Sequence, residues 1–181
     1  MQQTQRVEQE IRQWLQQVVV GLNLCPFAAR PLEHDAIRIQ VSQCSDEASL
    51  LQTLFDEIRL LQETPTRELE TTLLVLTDVL QDFNEFNQFL DLSDQLLLDR
   101  NWQDEFQIAT FHPQYCFQDT APDAAENLTN RSPYPVLHLL RQASLTKALE
   151  SYPEPEAIPQ RNIERMQALS VQEIRRLFPH I

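Results

Sequence analysis

Glycine is nearly absent, with Gly21 alone among 181 residues where about 7% would be usual. A P-loop, a GxGxxG dinucleotide turn and a kinase glycine loop all need glycine, either so that the backbone can approach phosphate oxygens or to adopt positive φ. Those nucleotide-binding designs are excluded, and turns with positive φ must rely mainly on Asn and Asp. Paired cysteines are missing too. Cys25, Cys44 and Cys116 form no CxxC motif and leave one thiol unpaired in any disulfide scheme, which suits a reducing cytosol. The segment Met1–Arg6 carries no charged run followed by an apolar stretch, and Val18-Val19-Val20 is too short to span a bilayer. A cytoplasmic location without membrane association is expected, and the acceptor-like tripeptides at Asn127 and Asn130 then carry no meaning.

Positive charge is also scarce. Fourteen Lys and Arg face 27 Asp and Glu, a formal charge of −13, and such a surface repels nucleic acid and anionic lipid. Nucleic acid is not an expected partner. Two stretches run against this balance, one with Arg131, Arg141 and Lys147 and the other with Arg161, Arg165, Arg175 and Arg176. The first is expected to serve a small anion.

What is present is core material: 42% hydrophobic and 23% charged residues, near globular averages and enough to offset the conformational entropy of folding. One domain over residues 1–181 is expected, with its core at about 5–150 and a helical extension at about 156–179. Val7, Ile11, Trp14, Leu15, Val18, Val19 and Leu22 recur at helical spacing and predict a helix over Gln5–Leu22. Gly21 and Asn23 stand where a left-handed cap belongs, and Pro26 stops the helix. Ile37, Ile39 and Val41 alternate with polar residues as in a half-buried strand. A helix capped by Ser45 or Asp46 follows, then the apolar strand Thr71–Leu76, a helix opened by Asp78 or Asp82, and a strand Phe106–Phe111. From Pro135 a helix is predicted through Leu149, and a last one from Pro159 to Phe178. The alternation predicts an α/β fold: a small parallel or mixed sheet of three or four strands flanked by helices, with helical N- and C-terminal segments.

In such sheets ligands collect at the carboxyl ends of strands, here near Ser42–Ser45, at Asp78 and at His112. The nonperiodic stretch His112–Pro135 is long for a connection and concentrates polar side chains. His112 is the acid–base candidate, since its ordinary pKa is near neutrality and a strand end holds it rigidly; the competing role is a bond to its own loop. Asp78 is its companion on the rim. Arg131 is a candidate to hold a carboxylate or phosphate, or else an ion pair with Asp119 or Asp123. His138 is either a second crevice residue or a satisfied core histidine. A metal set of His112, Cys116, His138 and an Asp lacks the spacing that marks zinc, so no metal or other cofactor is expected. Cys25, after the first helix, reads better as an inert thiol than as a reactive one.

The strings Gly21-Leu-Asn-Leu-Cys-Pro-Phe27, Glu70-Thr-Thr-Leu-Leu-Val-Leu76, Phe106-Gln-Ile-Ala-Thr-Phe-His-Pro113, Thr129-Asn-Arg-Ser-Pro-Tyr-Pro135 and Leu137-His-Leu-Leu-Arg141 resemble the bacterial "domain of unknown function 1415" family, from about Val7 to Leu149. The resemblance brings no activity, cofactor or substrate. Its motifs mark Asn23, Cys25, Pro26, His112, Pro113, Asn130, Arg131, Pro133, Tyr134, His138 and Arg141, while Cys116 departs from a position where a polar residue such as glutamine is expected. The functional reading is a small-molecule site for an anionic ligand at the loop after the third strand. Asn130, Arg131, Tyr134, His138, Arg141, Asn23 and Cys25 are its ligand-binding candidates, and His112 and Asp78 its acid–base pair. The alternatives are a noncatalytic protein-interaction module or a metal-dependent hydrolase.

Overall fold

The apolar repeat at the N-terminus forms helix α1 (Gln2–Trp14), which continues as a π-helical turn, Leu15–Val20. In this computed structural model, which describes residues 2–180, the chain proceeds through α2 (Ala29–Glu33), β1 (Ile37–Ser42), α3 (Glu47–Glu63), β2 (Thr71–Leu76), α4 (Phe83–Asp99) and β3 (Phe106–Phe111). A 3-10 turn (Ala125–Asn130) then leads to β4 (Val136–Arg141) and α5 (Gln142–Glu150); after a second 3-10 turn (Pro155–Ala157) come α6 (Ile158–Gln167) and α7 (Val171–Leu177). Short side-chain acceptors set the two long helix starts: Asp46 takes the amide of Ser49 at 2.8 Å, and Asp82 those of Asn84 and Glu85.

The sheet order is β1-β2-β4-β3. Strands β1 and β2 pair in parallel, and β4 runs antiparallel to both β2 and β3, so β1, β2 and β3 share one direction. This is the expected α/β class with a mixed sheet. The predicted helix from Pro135 is corrected here, because Val136–Arg141 is the strand between β2 and β3 and the helix begins only at Gln142. A strand covered on both faces is apolar throughout, so Val136, Leu137, Leu139 and Leu140 fit a helical stripe equally well; periodicity does not separate the two.

Alternation along the central strands divides the core. Leu74 and Leu76 of β2, with Leu137 and Leu139 of β4, pack beneath Leu50, Leu54 and Ile58 of α3 and Phe86 and Phe89 of α4. On the other face Leu73, Val75 and Val136 meet Ile11, Trp14 and Val18 of the first helix together with Met166 and Phe178 from the C-terminal helices. The C-terminal segment therefore belongs to the packing of one sheet face. The single helix expected from Pro159 to Phe178 is two, because Ser170 and Glu173 form a capping box that starts α7 afresh.

Asn23, Asp35, Asn101 and Asp119 take positive φ, as the shortage of glycine requires, joined by Leu80 at 56° and Glu154 at 53°. Gly21 has φ −62° and no left-handed role. It is needed for space: a Cβ there would press on the Gln17 carbonyl and lie 2.9 Å from that of Gln16, the carbonyls of the π-helical turn.

Candidate functional site

Because β2 and β3 point the same way, Asp78 and His112 stand on one rim of the sheet. Their side chains do not meet. Asp78 is exposed and accepts from the Thr77 hydroxyl at 2.7 Å. His112 is fully buried; its Nδ1 accepts from the Gln114 amide at 3.0 Å, which leaves Nε2 to carry the proton and donate to the Leu80 carbonyl at 3.3 Å. The ring lies between Phe83 and Phe86, 5.2 and 5.1 Å away. Burial holds its pKa below the ordinary value against the opposing pull of the Leu80 carbonyl and Asp82.

The long loop is organised by Asn127, which is fully buried. Its Oδ1 accepts from the Phe117 amide and the Thr120 hydroxyl, and its Nδ2 donates to the Ala121 carbonyl. Asn130 donates to the Thr110 carbonyl at 3.2 Å. Arg131 reaches the carbonyls of Tyr115 and Pro122 at 3.3 and 2.6 Å and forms no ion pair among the described residues. The Tyr134 hydroxyl donates to Glu10 at 2.6 Å, and burial together with that carboxylate pushes its pKa up to about 12.

Along β4 the remaining candidates separate. His138 Nε2 meets the Thr71 hydroxyl at 2.8 Å, and burial lowers its pKa to about 4. Arg141 is at the far end of the strand, five residues and roughly 17 Å from the His112 rim at ~3.4 Å per residue. There its guanidinium lies against the carbonyls of Leu61, Thr64 and Leu69 and closes the C-terminus of α3. His112, Arg131, His138 and Arg141 thus face four different sets of partners.

A different constellation gathers around Asn23. The turn after the first helix supplies Leu22, Asn23 and Pro26, and the C-terminal segment supplies Tyr152, Ile158, Arg161, Asn162 and Arg165; together they line a cavity of about 60 Å3. No carboxylate is among those residues. Arg161 and Arg165 sit one turn apart on α6, and like charges at that spacing repel by about 0.2–0.5 kcal/mol. Neither makes an ion pair among the described residues. The Arg161 guanidinium stands 5.3 Å over the Tyr152 ring and touches the Glu154 carbonyl at 3.3 Å. Asn162 Nδ2 donates to the Leu24 carbonyl at 2.8 Å, fastening α6 to the turn. Cys25, next in chain, is half-buried, and burial raises its thiol pKa against two backbone hydrogen bonds. Asn23 stood out in the sequence as a site residue, whereas Arg161 and Arg165 stood there only as part of a basic stretch; the usable signal was their spacing of i and i+4 on one amphipathic face.

A second, wider hollow of about 460 Å3 opens at the end of β1, lined by Ser42, Cys44, Ser45, Asp46, Ser49 and Thr53 among others. Burial works to raise the Cys44 thiol, yet hydrogen bonds from Ser42, Thr53 and Ser49 outweigh it and the pKa falls below the ordinary value. Asp46 is its one charged lining residue. No cluster of three or more His, Cys, Asp or Glu able to hold a metal occurs among the described residues; Cys116, for one, turns to Thr120 and Asn127. Nor is any helix among them long and apolar enough to cross a membrane.

A family model described as "Protein of unknown function (DUF1415)" matches residues 6–176. No curated protein and no solved structure matches the chain.

Proposed function

The chain belongs to the DUF1415 family, and on that premise we propose that it binds a small molecule through an anionic group, at the cleft between the first helix's end and α6. The observation that supports this is one: Arg161 and Arg165, one turn apart on α6, line a cavity that holds Asn23 and Asn162 and no carboxylate. An oxyanion between them turns their repulsion into two charge-assisted contacts, each worth about 1.5–3 kcal/mol. The size agrees. At roughly 10–15 Å3 for each water-sized occupant, 60 Å3 admits a carboxylate or phosphate group but not a whole nucleotide.

No general base lines this cleft, so the proposed activity is binding. His112 and Asp78 hold the rim in this reading, since acid–base work by His112 would first require its bonds to Leu80 and Gln114 to break. The proposal takes the chain as one domain working in the cytoplasm, with the charge of −13 disfavouring nucleic acid.

Titration calorimetry with inorganic phosphate, sulfate and acetate at low ionic strength tests it. Phosphate or acetate should bind the wild type, and the double substitution Arg161→Gln, Arg165→Gln should weaken that binding about tenfold or more with melting temperature unchanged. Equal binding by the double variant, or no heat from any of the anions, rejects the proposal.

A further inference from the structure

The cleft's α6 side belongs to the segment 158–180, which is anchored on the sheet by Met166 and Phe178, both fully buried. At its end stands His180. Its ring lies 6.1 Å from that of Phe178, and both ring nitrogens are buried with no hydrogen-bond partner among the described residues. The charged groups acting on it are Glu10 on α1 and Arg131 from the stretch before β4, and Glu10 is in turn bonded to Arg6 and Tyr134. Arg131 opposes a positive charge on His180 and Glu10 favours one. Glu10 is already engaged: Oε1 accepts from Arg6 at 2.8 Å and Oε2 from Tyr134 at 2.6 Å.

A neutral imidazole here leaves one N–H and one lone pair without partners, whereas an imidazolium leaves two N–H groups and a charge. The second is the costlier state to bury. We infer that His180 is an acid-sensitive latch on the C-terminal segment, so that protonating it releases α6 from the cleft and lowers the affinity for the anion. This rests on the binding reading above for its functional half alone; the latch itself does not need the ligand.

Burial, with Arg131 adding to it and Glu10 opposing, lowers the His180 pKa to about 4. A released ring takes its proton near the ordinary value of about 6.5. Docking is therefore complete above that pH and weakens as pH falls toward 4. Between pH 7 and pH 5 the docking equilibrium should drop about twentyfold.

Hydrogen exchange at pH 7 and pH 5, corrected for intrinsic rates, reads this directly on the whole chain. Protection of residues 158–177 should fall about twentyfold, and His180→Phe should abolish that fall. The same pH dependence of those residues in the variant overturns the latch. Should the variant not fold, the ring resonances of wild-type His180 decide: a midpoint near 6.5 overturns it and one near 4 supports it. Phosphate affinity at the two pH values then tests the gating; a wild-type ratio no larger than that of His180→Phe overturns that half. Absence of phosphate binding at pH 7 rejects the anion site and with it the gating, but leaves the exchange result to judge the latch.

Discussion

The imidazole of His112 donates through Nε2 to the carbonyl of Leu80, a non-glycine residue held at φ 56°. A left-handed leucine costs about 1–2 kcal/mol, and the bond, with the Phe83 and Phe86 packing around it, ties the loop after β2 to the loop after β3. Replacing His112 by Ala leaves the Leu80 carbonyl unpaired and a hole between two aromatic rings. Stability should fall by about 3 kcal/mol, while phosphate affinity stays within about twofold of wild type. Urea unfolding and calorimetry check both; a stable variant that no longer binds would place the site at the rim instead.

Acid should weaken the fold. The pKa values of His138 and His180 are both lowered to about 4, below the ordinary value of the unfolded chain, so the native state holds fewer protons than the unfolded state between roughly pH 6.5 and pH 4. Stability is then greatest above 6.5 and declines toward 4, by at most about 1.4 kcal/mol per pH unit for each ring. Denaturant melts across that range measure it, and a flat profile contradicts the burial of these rings.

The sheet's three parallel strands, their helices and the shared rim of Asp78 and His112 were legible because alternation and caps are local signals. Of the expected helix starts, Ser45 or Asp46 and Asp78 or Asp82, the second of each pair serves. Val136–Arg141 was not legible, since a strand inserted between two others is apolar on both faces and periodicity is silent there. The cleft was half legible. Asn23 stood out beside Pro26, but its partners Arg161 and Arg165 are about 140 residues away, and only the fold brings them together. Arg131 and Arg141 carried the same charge signal and are engaged by two and three carbonyls, against one for Arg161, a difference that no local pattern encodes.

Arg141 closes the end of α3 rather than holding a ligand. Its replacement by Ala should leave the carbonyls of Thr64 and Leu69 without a donor and cost about 2 kcal/mol, with Lys restoring part of the loss because a single nitrogen, Nη2, meets all three carbonyls. Thermal unfolding of the two variants decides; full stability in Ala would show that water replaces the guanidinium without loss.

The thiols should differ in reactivity. Cys44 has a lowered pKa and borders an open hollow, whereas burial raises that of Cys25. At pH 7.5 an alkylating reagent should label Cys44 before Cys25, by peptide mapping, and the reverse order would contradict the hydrogen-bond pattern around Cys44.

The binding claim turns on which arginines meet the anion. Side-chain Nε–Hε resonances of Arg161, Arg165, Arg131 and Arg141, followed as phosphate is added, separate the two stretches in one titration. The Arg161 and Arg165 signals should move together with a single dissociation constant while those of Arg131 and Arg141 stay fixed. Movement of Arg131 or Arg141 with Arg161 and Arg165 unmoved would contradict the cleft as the site.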